Sequence, residues 1–180
     1  MRTDRPRFSI AQKAQTSGTY RIALLGIFLA VILAVGLFER MIPLDFAVPG
    51  VRLGLSNVVI LLSIYWFRFR DILILVILKC VLLAAMAGGM SSFLYSICGS
   101  LLSFVVMWLL VTRLKDRIGP IGTSVIGAVC HIAGQLLVAS LVIENMQLFL
   151  FMPILVLISA ASGVLVGVLV KLSLAAATRL

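Results

Sequence analysis

His131 and Gln135 stand four residues apart in an otherwise apolar stretch. In a helix that spacing puts both on one face. An imidazole and an amide then offer donors and acceptors toward one cavity, with Ser124 and Ala128 below them. A histidine that only satisfies a neighbouring helix carbonyl is the plainer alternative. Lys79 sits eight residues beyond Asp71, about 12 Å up a helix at the standard rise. An ammonium at that depth must face a protein interior, a wet cavity or a partner, or else snorkel to the surface. The stretch PGVRLGLSN, Pro49 to Asn57, adds Arg52 and Asn57. Arg52 suits a lipid phosphate or an anionic ligand. Gly54 permits close backbone approach, and Ser56 and Asn57 need hydrogen-bond partners once inside apolar surroundings. Glu39 and Asp45 are both candidates to pair with Arg52. Tyr95, which follows Ser91 and Ser92, extends the same polar set. Arg52, Asn57, Lys79, Tyr95, His131 and Gln135 thus form the candidate ligand-binding set. Its cationic members favour an anionic or polar-headed ligand.

Other chemistries lack their residues. No GxxxxGK[ST] run is present to bind ATP, and no DDxxD run to hold magnesium and a diphosphate. Cys80, Cys98 and Cys130 fall in apolar runs and make no CxxC pair, so they read as small buried apolar side chains. No carboxylate or cysteine partners accompany His131 as a zinc site would require. The expectation is a chain with no catalytic residues, no metal and no cofactor.

The elements that position these residues are membrane helices. Of the 180 residues, 63% are hydrophobic and 12% charged, and mean hydropathy is +1.25. A soluble domain needs more charge to cover its surface. Long, nearly uncharged apolar runs indicate a polytopic membrane protein. Six candidate spans follow: 22–38, 53–67, 72–86, 92–111, 118–143 and 148–172. The second and third are short, and only RFRD, Arg68 to Asp71, separates them. Gly88 to Ser92 is either a short turn or a kink. The expected fold is an all-α polytopic six-helix transmembrane bundle. A basic tail occupies 1–21, the helical domain 22–172, and a short end 173–180. The first span lacks a convincing cleavage site and leads into further spans, so it reads as retained rather than as a signal peptide.

The net charge of +9 fits loop arginines and lysines better than nucleic-acid binding. With the N terminus inside, twelve of the fifteen basic residues fall on the inner side, and only Arg40 and Arg52 on the outer. This bias places both termini in the cytoplasm. Gly26, Ala30 and Ala34 make a small-residue stripe on the first helix. Such a stripe lets another helix approach closely, either within this chain or from a partner subunit. Gly163 and Gly167 repeat the pattern in the last helix.

The ERMIP patch at Glu39 to Pro43, PGVRLGLSN, GGMSSFLYSICG at Gly88 to Gly99, and HIAGQ at His131 to Gln135 resemble the "Gx transporter" family. Its members are often labelled heptaprenyl diphosphate synthase component I. The resemblance covers nearly the whole chain from the first helix onward. It implies a fold similar to the S components of energy-coupling factor transporters, six-helix proteins that bind vitamins or related compounds from the outer side. It also implies a partner transmembrane subunit with two ATPases, docked on the Gly26, Ala30, Ala34 stripe. The expected location is the bacterial inner (plasma) membrane. The alternative is a non-catalytic accessory subunit in isoprenoid or quinone biosynthesis or in membrane electron transfer. A third option is a gradient-driven small transporter, with Lys79 and His131 in proton coupling.

Overall fold

The computed structural model describes residues 18–39, 41, 54–87, 89–114 and 117–177. Six α-helices and one 3-10 helix stand among them. They are α1 (Gly18–Glu39), α2 (Asn57–Trp66), α3 (Phe69–Ala87), α4 (Gly89–Arg113), α5 (Pro120–Val142), the 3-10 helix (Met146–Phe151) and α6 (Met152–Ala177).

Six α-helices stand where hydropathy places six spans, and four of them have the length and apolar character of full spans. The described residues contain four helices long and apolar enough to cross a membrane: α1, α4, α5, and α6 with the 3-10 helix that leads into it. Helix α2 has 10 residues, about 15 Å of rise against a hydrocarbon core of about 30 Å. Helix α3 has 19 residues, but Arg70, Asp71 and Lys79 interrupt its apolar character. The turn at Arg68 to Asp71 is real, and it leaves α2 as a half-length helix.

Local chemistry sets several ends. The Asp71 carboxylate accepts from the backbone N–H of Arg68 at 3.3 Å, which closes the first turn of α3. Arg21 donates to that same carboxylate, so the starts of α1 and α3 meet at one level and the two helices run the same way. Gly119 and Pro120 open α5, with proline at the position where its missing N–H costs nothing. Asn145 accepts from the backbone N–H of Gln147 at 2.9 Å and starts the 3-10 turn.

The packing inverts that of a soluble protein. Large apolar side chains such as Ile22, Leu150 and Leu157 lie on the outside, where lipid is the matching solvent. One apolar core joins Phe28, Ile60, Ile64, Phe67, Val76 and Phe104 from α1 to α4. The Phe28 and Phe67 rings meet edge to face at 5.2 Å, a favoured aromatic geometry. A second core holds Tyr95, Ile132, Leu136, Ala139 and Leu155.

Glycines bring the longest helices together. A Cβ on Gly167 would run into the Ile121 Cα, and one on Gly163 would lie 2.8 Å from the Val125 Cα. Helices α5 and α6 therefore touch backbone to backbone. Gly134 meets the Gly99 Cα in the same way, at 3.0 Å, where α4 crosses α5. Close contact of this kind is what drives association when lipid removes the hydrophobic incentive.

Candidate functional site: a buried polar centre

The polar side chains converge where α2 begins. Lys79 is the eleventh of 19 residues in α3, and His131 the twelfth of 23 in α5. Both are about halfway along their helices, and both are buried. Gly54 lies against the His131 ring, since a Cβ there would be 2.9 Å from the His131 Cδ2. The N-terminus of α2 is therefore inside the bundle at mid-depth.

A helix start brings unsatisfied N–H groups and a partial positive charge. In an apolar interior these need a partner. Ser56 stands at the N-cap but makes no side-chain cap. Glu39, the last residue of α1, takes that role instead. Its carboxylate accepts from the backbone N–H of Gly54 and lies close enough to those of Leu55 and Ser56 to feel them. Gly54 has φ +76°, a conformation that glycine adopts without strain. The positive φ turns its N–H toward the carboxylate, and the missing side chain leaves room for the histidine.

Lys79 lies near enough to act electrostatically on Glu39. It also donates to the Asn57 Oδ1 at 3.0 Å. That bond orients the Asn57 amide, with Oδ1 toward the ammonium and Nδ2 toward Gly54. Gln135 Nε2 lies 3.1 Å from His131 Nε2. With the amide nitrogen donating, the ring accepts at Nε2 and carries its proton on Nδ1. His131 and Gln135 thus share a helix face and bond each other.

The remaining space is small. Gly36, Glu39, Gly54, Ser56, Lys79, Ser96, His131 and Gln135 line a cleft whose volume for water centres is about 10 Å³. That accommodates roughly one water. Small-molecule sites usually run to several hundred Å³. In this conformation the protein's own side chains fill the centre.

Of the sequence-derived ligand set, Asn57, Lys79, His131 and Gln135 come together here. Tyr95 is buried in the second apolar core with Ile132 and Leu136. Arg52 lies outside the described residues. Glu39 was read in the sequence only as a loop-end candidate to pair with Arg52. The structure gives it the central position. One signal was available: an acidic residue closing a long apolar run has to find a partner.

The small-residue stripe points away from all this. Gly26, Ala30 and Ala34 are exposed, and among the described residues nothing lies within 4 Å of a Cβ built on Gly26. Helix α1 buries Phe28, Ile32, Gly36 and Glu39 instead. No group of three potential metal ligands occurs among the described residues.

A family model described as heptaprenyl diphosphate synthase component I matches residues 28–173. The match runs from the buried face of α1 into the last turns of α6 and includes every residue of the polar centre. No curated protein matches the chain significantly, and no solved structure does.

Proposed function

The chain belongs to the heptaprenyl diphosphate synthase component I family, and on that premise we propose that it is a non-catalytic membrane subunit that binds and supports a partner enzyme. Its partner class is the one the family description names, a synthase that makes a prenyl diphosphate. The observation that carries this reading is the closed centre. Glu39 holds the start of α2, Lys79 bonds Asn57, and Gln135 bonds His131 within α5; together these side chains leave room for about one water. The first two bonds tie α2 to α1 and to α3, which supports a rigid scaffold. The outward Gly26, Ala30, Ala34 face offers a docking strip in the bilayer. The basic N-terminal tail and the Arg113 to Arg117 turn suit the cytoplasmic side, where a soluble enzyme would meet them. Reconstitution tests the reading. Vesicles carrying this chain should recruit the catalytic synthase component and raise its turnover on a membrane-bound product. Equal turnover on empty vesicles would remove the accessory role.

A second reading is favoured by one observation. The polar cleft is walled by side chains from α1, α3, α4 and α5 around the N-terminus of a half-length helix, an arrangement that membrane transporters use for substrates. In that reading the chain is the substrate-binding subunit of a vitamin- or precursor-like uptake system, resembling an S component. It takes ligand from the outer side and couples to a transmembrane subunit and ATPases. Uptake that fails in both Asn57→Ala and His131→Ala, with expression unchanged, would favour it over the scaffold. Both readings place the chain in the plasma membrane with cytoplasmic termini.

A further inference from the structure

We propose that the helix ends around Arg68, Arg70, Arg113 and Arg117 form a binding face for anionic phospholipid head groups, whether or not the chain also serves an enzyme.

Side-chain and backbone contacts assemble this face at one end of the bundle. Arg21, near the start of α1, pairs with Asp71 at the start of α3. The Phe69 ring, also at the start of α3, meets the Phe104 and Trp108 rings of α4 at 5.0 and 5.3 Å. Arg113 closes α4 five residues beyond Trp108, about 7.5 Å along the axis. The Leu114 carbonyl accepts from the backbone N–H groups of Arg117 and Ile118, and this tight turn leads into α5. There Ile121 lies against Gly167 of α6, one turn before Lys171. Arg68, Arg70, Arg113, Arg117 and Lys171 therefore lie at one end, and all five are exposed.

Two independent observations point to lipid phosphate. The first is unspent charge. Among the described residues, Asp71 is the one carboxylate at this end, and it already accepts from Arg21 and from the backbone N–H of Arg68. No ion pair or side-chain hydrogen bond joins Arg68, Arg70, Arg113 or Arg117 to another described residue. Lys115 and Asp116, which complete the α4–α5 turn in the sequence, cancel in charge. The second is depth. Phe69, 37% exposed, and Trp108 sit beside these arginines, and tryptophan rings mark head-group level in membrane proteins. The turns are also short, with Phe67 and Arg68 between α2 and α3 and residues 114–119 between α4 and α5. The guanidiniums thus end among head groups rather than reaching far into water, where a soluble acidic partner would meet them.

Orientation by loop charge needs only a count of basic residues. It does not require four guanidiniums to stay unpaired beside an aromatic cluster. A guanidinium fork makes two parallel bonds to a phosphate and keeps its charge at any working pH. At the opposite end, the exposed charge among the described residues is Glu144, so anionic lipid is drawn to one leaflet.

The test places full-length protein in nanodiscs of mixed phosphatidylcholine and phosphatidylglycerol and counts the lipids it retains on release in a native mass spectrometer. Wild type should retain phosphatidylglycerol well above its share of the bilayer. Arg70→Gln or Arg113→Gln should cut that preference about fivefold, and the double variant roughly twenty-fivefold, if each arginine acts independently near an anionic surface. Replacing the same two residues by lysine should keep most of the preference, and Glu144→Gln should match wild type. Equal Tm values in pure phosphatidylcholine show that the variants fold. Equal retention of both lipids by wild type, or an unchanged preference in the double glutamine variant, overturns the proposal. If that variant keeps its lipids but loses a salt-sensitive complex with an acidic soluble protein, the arginines face a protein and not the membrane.

Discussion

At the scale of single residues, burial decides which charges matter. An ion pair and a buried lysine near Glu39 link α1 to α3, and the same substitution logic gives them different weights. In the Arg21–Asp71 pair the arginine is 35% exposed and the aspartate 5%, so water and salt reach the guanidinium and weaken the pair towards the roughly 0–1 kcal/mol of exposed pairs. Lys79 is enclosed, with Asn57 and Glu39 beside it. Removing one partner of a buried pair costs about 3–5 kcal/mol, because the other charge stays behind. Lys79→Met should therefore lower unfolding free energy by several times the effect of Asp71→Asn in the same detergent titration. Equal effects would mean that the centre is hydrated and weak. The sequence displayed Lys79, His131, Gln135 and Asn57 because polar residues stand out in apolar runs. It did not display their common partner. Glu39 and Gly54 are fifteen residues apart, and only the folded chain brings the carboxylate to the helix start. Tyr95 misled for the opposite reason. Its ring has enough apolar surface to join a core, and the nearby serines gave no hint of which face it takes.

At the scale of elements, glycine spacing means different things on different helices. Gly163 and Gly167 sit against the backbone of α5. Among the described residues, nothing lies within 4 Å of a Cβ built on Gly26. Gly167→Leu should force α5 and α6 apart and cost about 1–3 kcal/mol or more as an overpacked contact. Gly26→Leu should stay within about 0.5 kcal/mol of wild type in the isolated protein. The same Gly26→Leu change should weaken partner capture if that face is the docking strip. Thermal melts of both variants, with a pull-down of the second, separate packing from docking. The helices themselves were readable from hydropathy, and α1, α4, α5 and α6 lie close to the apolar runs that predict them. The sequence marked the second span as short, at 53–67, but did not show that its helix begins only at Asn57. Leu53 to Phe67 is apolar throughout except at Gly54, Ser56, Asn57 and Ser63, so a hydropathy window extends the run. The true start at Asn57 comes from the cap that Glu39 supplies, which no local pattern contains.

At the scale of the whole molecule, an apolar exterior surrounds a polar centre among the described residues. The charge bias predicts that a fluorescent protein fused after Leu180 matures in the cytoplasm, whereas a periplasmic reporter at the same position stays inactive; the reverse would invert the topology. In the proposed reading the buried polar centre and the outward face of α1 together make a scaffold, and the central claim is that this scaffold serves an enzyme. Native mass spectrometry of the protein, released gently from its own membrane, tests that claim most directly. The account predicts a stoichiometric complex with a soluble prenyl diphosphate synthase component. A complex with an ATPase module, carrying a stoichiometric small molecule that disappears in His131→Ala, would contradict it.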